Sequence, residues 1–423
     1  MKNQKEKISI IGCGISTIYC AIKLIEKGYE VQIFEQKKSL GGRAGYISNK
    51  YGEIDIGQHI FLETYQNFYK IIKKFKLENH FENKRNLEIP VIDNNKKFYI
   101  KSKISFYPLS LISSVLSYKS LSFKNRLSVL YGLIKLKSLN TKNEKKIPFS
   151  FWLKQNKQNE ETVKKFWEII CKPAFNISLE KFDNHDAYNL FKYMIFDPKK
   201  NISIRYSKKP ILKIIEKPFK EYISKNNSKI IFEKVVKINK KNENIIIETK
   251  KNKFKSKKVI IGTNLESTIN LMEIRKENIK ISNSSIINIV FWFNKKVMDE
   301  DYVAFSNSDL EWVFSQDSNE FNTFSQKIII SLSDTDDLLK VKNSDLTRNF
   351  EKKIREELCI NNDVKTISSL VIRSPKATQR TNDAKKLLRI KNIHFVGDWI
   401  IDKLPNTMES ACLSSDILVR NEF

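Results

Sequence analysis

The sequence predicts an α/β protein in which a three-layer, Rossmann-like dinucleotide domain is assembled from discontinuous segments and joined to a mixed α+β substrate domain. Three observations predict it. Eight of the eleven glycines fall within the first 57 of 423 residues, whereas average usage would spread roughly 30 along such a chain. A strand, glycine turn, helix and strand follow one another up to Glu35, and a strand, glycine, acid and helix close the chain around Gly397. Glycine this scarce marks backbone that turns sharply or approaches a ligand closely.

The elements follow in order. Residues 8–11 are a short apolar β run, and Gly12 to Thr17 form the turn. Ile18, Ala21, Ile22 and Ile25 then recur at helical spacing. Gly28 stands where a left-handed residue ends a helix, and residues 31–34 form the second β run. Helical patterns are expected to predominate from about residue 70 to residue 200, carrying Phe149, Phe151, Trp152, Phe166 and Trp167. Strand patterns return at 229–232, 234–238, 245–249 and 259–261, then at 286–293 and 328–332. A buried strand at 394–396 precedes Gly397 and a helix from about Thr407. The expected division is 1–85, 205–270 and 370–423 for the dinucleotide domain, with 86–204 and 271–369 forming the substrate domain and its helical insertion.

Composition narrows the function. Five cysteines, odd in number and without CxxC spacing, argue for a reducing compartment. Four scattered histidines give no metal-ligand spacing, so no metal is expected. The net charge of +28 is mostly lysine spread along the whole chain. It lacks the clustering of a nucleic-acid interface, and it suits attraction to an anionic membrane surface better. The apolar run at 8–11 is too short for a signal-peptide core, and no stretch reaches the roughly 20 apolar residues of a membrane span. The expected location is cytoplasmic, peripheral on the inner face of the cell membrane.

Gly12 and Gly14 shape a turn that brings a pyrophosphate to a helix N-terminus, where free N–H groups and the dipole favour an anion. Glu35 closes the second strand where an acid takes both hydroxyls of a ribose. Thr17 stands where glycine or alanine is usual and tightens the packing of helix on strand. Gly41, Gly42 and Arg43 supply a second close approach with charge-assisted donors, as do Asp55 to His59 with Gly57. An NAD site does not need this second element, whereas FAD does. Gly397 and Asp398 end the C-terminal strand, where Asp398 can accept from a ribityl chain. Asn406 and Glu409 fit a capping box at the start of the last helix, whose N-terminus suits the pyrimidine side of a reduced flavin.

The N-terminal fingerprint with Gly42-Arg43-Ala44, the middle β segments and Gly397-Asp398-Trp399 resemble the FAD-dependent amine oxidase and phytoene desaturase superfamily. Asp55 to His59, Ala174-Phe175-Asn176, Lys376-Ala377-Thr378 and Leu404 to Glu409 are similar to the squalene-associated desaturases, understood as hydroxysqualene dehydroxylases. Departures are Thr17, Ile56 where asparagine is common, and Ser410 where glycine is frequent. The resemblance implies that Gly12, Gly14, Ile15, Ser16, Glu35, Gln36, Gly42, Arg43, Gly57, Gln58, Val235, Gly397, Asp398 and Met408 contact FAD, Val235 through its backbone beside the adenine. His59 lies either near the flavin or in packing, and Cys13 reads as a small packing residue.

The resemblance further implies an FAD-dependent oxidoreductase acting on a long isoprenoid. The leading expectation is reductive dehydroxylation of hydroxysqualene to squalene, and the alternatives are phytoene-type desaturation or amine oxidation. A flavin-free binding protein, favoured only by Thr17, belongs to another class. No catalytic acid, base or triad is legible. The segment 104–118, with Phe106, Tyr107, Leu109, Leu111, Ile112, Val115 and Leu116, is either a membrane-dipping, substrate-access helix or a buried helix of the second domain.

Overall fold

A computed structural model of the chain describes residues 6–83, 87–104, 106–196, 203–207, 209–241, 243–274, 279–318, 324–381, 390–402 and 404–423. Its centre is a five-stranded parallel sheet in the order Lys229–Ile231, Glu30–Phe34, Lys7–Ile11, Val259–Ile261, Ile393–Phe395. Short, mainly apolar runs suit these strands because a parallel sheet is covered on both faces. Along each strand the side chains alternate between the two covers. Ile8, Ile10 and Ile260 join the helices Ile15–Glu26, Gln66–Lys74, Ile211–Lys225 and Met408–Glu422. Ile11, Val259 and Ile261 instead face the antiparallel strands Val235–Lys241, Asn244–Thr249 and Lys253–Ser256 together with the helix Leu265–Leu271. Helix, parallel sheet and small antiparallel sheet make the three layers expected from the sequence.

A second, seven-stranded sheet runs Thr366–Arg380, Ser282–Phe293, Gln326–Ser333, Trp312–Asp317, Tyr302–Ser306, Glu88–Asp93, Lys96–Lys101. Ile287, Ile289, Phe291 and Phe293 point to the face covered by the helix Asn343–Glu357. Val290 and Trp292 point to the other face, into the core built by the helices between residues 109 and 194. Among the described residues no helix is long and apolar enough to cross a membrane.

Several expectations change. Residues 88–101 are not helical but form a hairpin. Asn94 and Asn95 both have positive φ, 50° and 60°, which sets the tight turn whose twist matches paired strands. The expected boundary at 85/86 lies outside the described residues. The one expected at 370 falls within the strand Thr366–Arg380, which pairs with Ser282–Phe293 and also carries Ala377 to the glycine turns. The last helix is capped by Thr407, whose side chain and Ser410 form the reciprocal box. Asn406 and Glu409 are therefore free for other partners, described below.

Candidate functional site

The two glycine turns meet. Gly41 N–H donates to the Cys13 carbonyl at 2.8 Å, and Gly14 bridges to Gly41 in parallel. Gly12, at φ +91°, leaves no room for a side chain, since a Cβ would sit 3.0 Å from the Gly262 carbonyl oxygen. Gly14 and Gly42 differ, because a Cβ on Gly14 would meet nothing within 4 Å and one on Gly42 only the Gly14 Cα at 3.9 Å. They form a glycine-walled cradle at the start of the helix Ile15–Glu26, which has no side-chain cap and no acid in its first turn. Unclaimed N–H groups and the helix dipole there suit a diphosphate. This cradle fits the pyrophosphate of FAD.

Thr17, the departure from the glycine fingerprint, is fully buried and packs onto Gly262, where any side chain would collide with its methyl group. The close approach of helix to strand is thus provided from the strand side. Thr17 Oγ1 also donates to the Gly14 carbonyl at 2.9 Å, holding the turn.

Glu35 ends the second strand with its carboxylate accepting from Cys13 N–H at 2.8 Å and Lys37 N–H at 2.9 Å. It sits at the mouth of the turn. Ile15 and Ser16 are buried in the first helical turn, where the Ser16 carbonyl accepts from Ser415 of the last helix at 2.8 Å. Gln36 is exposed and joins none of these contacts. Val235 is buried in one cluster with Ile11, Phe34 and Trp399, beside the end of the first strand. That places it at the Glu35 end of the site.

The far end of the chain closes on the second turn. Arg43 donates to the Asp398 carboxylate at 2.5 Å and to the Ala377 carbonyl at 3.0 Å. Asp398 is buried, and Gly397 N–H donates to Ser414 Oγ at 2.9 Å. A side chain on Gly397 would run into the Trp399 indole. Met408 opens the last helix and packs on the helical layer. The fully buried Glu409 reaches across to the N-terminus of Gln66–Lys74, accepting from Asn67 N–H, Phe68 N–H and Tyr193 O–H at 2.9, 2.9 and 2.7 Å. It caps another helix rather than its own.

Short motifs that lie far apart in the chain also converge. Arg380 donates to the Phe175 carbonyl and, at 3.3 Å, to Asn406 Oδ1. Asn176 Nδ2 donates to Ser284 Oγ at 3.0 Å, and Ser284 in turn bonds Thr378. Asn406 Nδ2 donates to the Gln379 carbonyl at 3.1 Å.

Gly57, Gln58 and His59 lie where the two domains meet. Asn288 of the large sheet donates to the Ile56 carbonyl at 2.8 Å, and Lys327 donates to the Glu53 carbonyl at 3.3 Å. Asp55, Gln58, His59 and Phe61 line a narrow pocket with Tyr206, Asp301 and Phe314. Burial pushes the Asp55 carboxyl up to about 8, the Lys327 ammonium down to about 8 and the His59 imidazole down to about 4. Burial thus favours the uncharged form of all three groups. His59 Nε2 and Asn288 Oδ1 are buried without a hydrogen-bond partner among the described residues, and a buried polar atom left unpaired by the protein calls for a partner from elsewhere.

The structure thus brings together Gly12, Gly14, Ile15, Ser16, Glu35, Gly42, Arg43, Gly397 and Asp398, and holds Gly57, Gln58 and His59 against the second domain. Gly41 takes part as the second close approach expected, and Gly262, Arg380 and Asn288 are additions. Gly262 carried a signal, being one of the few glycines outside the N-terminal cluster. Asn288 and Arg380 carried none, because the Ile56 and Phe175 carbonyls they bond lie more than 200 residues away in the chain.

A profile described as flavin containing amine oxidoreductase matches residues 15–417. The zeta-carotene desaturase of Arabidopsis thaliana is 23% identical over 247 residues, 54% of this chain and 43% of that enzyme, so the chain spans less than half of that relative. The 15-cis-phytoene desaturase of Synechococcus elongatus is 19% identical across 97% of this chain and 94% of its own length. Among solved structures, the cyclohexylamine oxidase of Brevibacterium oxydans superposes with a TM-score of 0.69 at 13% identity, covering 99% of this chain and 98% of that one. That likeness is one of fold.

Proposed function

From the premise that the chain belongs to the flavin-containing amine oxidoreductase family, with FAD as its cofactor, we propose that it is an FAD-dependent oxidoreductase acting on a long isoprenoid, and that its reaction is the reductive dehydroxylation of hydroxysqualene to squalene. The observation that carries this reading is the convergence of Phe175-Asn176, Ala377-Thr378 and Asn406 on one polar cluster next to the Arg43–Asp398 pair. These are the segments whose resemblance points to the squalene-associated enzymes.

Bound FAD supplies hydride chemistry in either direction, to an allylic carbon as the C–O bond breaks and the oxygen leaves with a proton as water, or from an allylic C–H in a desaturation. The chain's own part is to hold, orient and keep water out. The cradle at Gly14 and Gly42 takes the pyrophosphate, Glu35 the ribose, and Arg43 with Asp398 fixes the second glycine turn against the C-terminal strand. On the substrate side, Trp292, Trp312, Phe314 and Tyr302 give the large sheet an aromatic face toward residues 51–61. Burial of His59 and Asp55 favours the uncharged form of each, which lowers the charge an isoprenoid would have to desolvate at that junction.

Desaturation is the second reading, favoured by the similarity to a 15-cis-phytoene desaturase over nearly the whole chain. One pair of incubations separates the two. Anaerobic reduced enzyme is supplied with hydroxysqualene, oxidised enzyme with phytoene, and the products are extracted and identified. Squalene in the first incubation and unchanged phytoene in the second is the expected result. Desaturated carotenoid with no squalene replaces the first reading by the second, and no turnover of either rejects the isoprenoid class.

A further inference from the structure

We propose that the antiparallel helices Leu109–Ser117 and Phe123–Lys137 form a docking face for the surface of an anionic phospholipid bilayer. The helix Phe123–Lys137 is apolar on two sides. Val129, Leu133 and Leu136 are buried in the domain core, and a side chain at Gly132 would strike Trp167 and Gln158, so this side is closely packed. The opposite side should be polar if it met only water. It carries instead Phe123, Leu127, Tyr131 and Ile134, with Phe123 62% and Ile134 67% exposed.

The first helix extends this face. Arg126 donates to the Leu116 carbonyl at 2.5 Å, and the Lys137 ammonium lies 4.8 Å from the Tyr107 ring centroid. The end of one helix thus meets the start of the other, and their stripes run side by side. The outward residues of the first helix are Leu109 and Ile112, whereas Leu111 and Val115 of the expected access segment are buried. The helix of that segment thus has one face in the core and the other exposed.

Charge selects the occupant. Between Asp93 and Glu144 the chain has ten lysines and arginines and no acid. A second copy would bring these cations against its own, and a neutral partner would leave them unmatched, whereas anionic headgroups would take both the apolar stripe and the cations. The helices are too short to span, so they would lie in the interface plane with the stripe among the acyl chains and the lysines at headgroup depth.

The test is flotation of the full FAD-loaded chain with phosphatidylcholine vesicles, with and without phosphatidylglycerol. The wild type should float with the phosphatidylglycerol vesicles, less so at high salt. Leu127→Glu with Ile134→Glu should lower the vesicle partition coefficient by about tenfold or more, while the equally charged control Ile367→Glu with Ile417→Glu, at exposed positions elsewhere, should bind as wild type. Flavin content and melting temperature verify folding, and Leu127→Ser with Ile134→Ser replaces the first pair if it does not fold. Equal binding of the stripe variant and wild type, or no wild-type binding to anionic vesicles, overturns the proposal. So does sedimentation showing that wild-type dimers are lost in the stripe variant while vesicle binding persists, which would assign the face to a second copy.

Discussion

The methyl group of Thr17 occupies the space that a side chain at Gly262 would need. The helix bearing the phosphate turn comes close to the strand Val259–Ile261 through this pair, with the small residue on the strand rather than on the helix. Gly12 uses the same glycine, its missing Cβ facing the Gly262 carbonyl. Gly262→Ala should therefore cost about 1–3 kcal/mol by overpacking and displace the turn, weakening flavin retention. Thr17→Gly should rescue that variant because it restores the space. Chemical denaturation and flavin content of the two single variants and the double variant measure the coupling, and purely additive losses would contradict it.

Arg43 joins the second glycine turn to a C-terminal acid 355 positions away. Removing Arg43 leaves the buried Asp398 carboxylate without its cation, and neutralising Asp398 leaves the guanidinium without its anion. Arg43→Ala and Asp398→Asn should each weaken FAD binding by about tenfold to a hundredfold, the equivalent of one charge-assisted hydrogen bond. Titration of apoprotein with FAD reads this directly, and affinities within twofold of wild type would remove the pair from the site.

Glu409 takes two backbone N–H groups of the helix Gln66–Lys74 and the Tyr193 hydroxyl. Glu409→Gln should destabilise the fold by about 1–3 kcal/mol, because it turns one buried acceptor into a donor facing donors. Tyr193→Phe should cost less, about 1 kcal/mol. Denaturant midpoints check both, and an unchanged Glu409→Gln midpoint would show that the cap contributes nothing.

Burial holds the His59 imidazole down to about 4, below the ordinary 6.5. The unfolded chain takes up a proton below about pH 6.5 that the folded site refuses. The stability this site contributes is therefore complete above that pH and is lost as pH falls toward 4. His59→Gln should flatten the acid limb of the stability profile by up to about 1.4 kcal/mol per pH unit. Thermal melts between pH 4.5 and 8 provide the comparison, and superimposable acid limbs would show that His59 titrates normally.

Much of the cofactor side was legible because its signals are local. The strand before Gly12, the helix-ending Gly28, Glu35 at the strand end and the Gly41-Gly42 turn each follow from a few neighbouring residues. Of the seven-stranded sheet the strands at 286–293 and 328–332 were legible from their apolar runs, but its hairpin at 88–101 depends on Asn94-Asn95 adopting positive φ and its long strand Thr366–Arg380 has no continuous apolar run. The cap of the last helix was misplaced by one residue because Asn406 and Glu409 satisfy the local pattern while their bonds go to Gln379 and to the helix Gln66–Lys74. The exposed stripe of Phe123–Lys137 was hidden for a related reason, since apolar residues on opposite helix faces look alike until burial separates them.

The most direct measurement of the central claim is a single anaerobic turnover. The yellow protein is reduced, mixed with one equivalent of hydroxysqualene, and followed by its flavin absorbance while the same sample is extracted for squalene. The account predicts that the oxidised flavin band returns in step with squalene, one for one. A band that stays bleached while hydroxysqualene is recovered unchanged would contradict it.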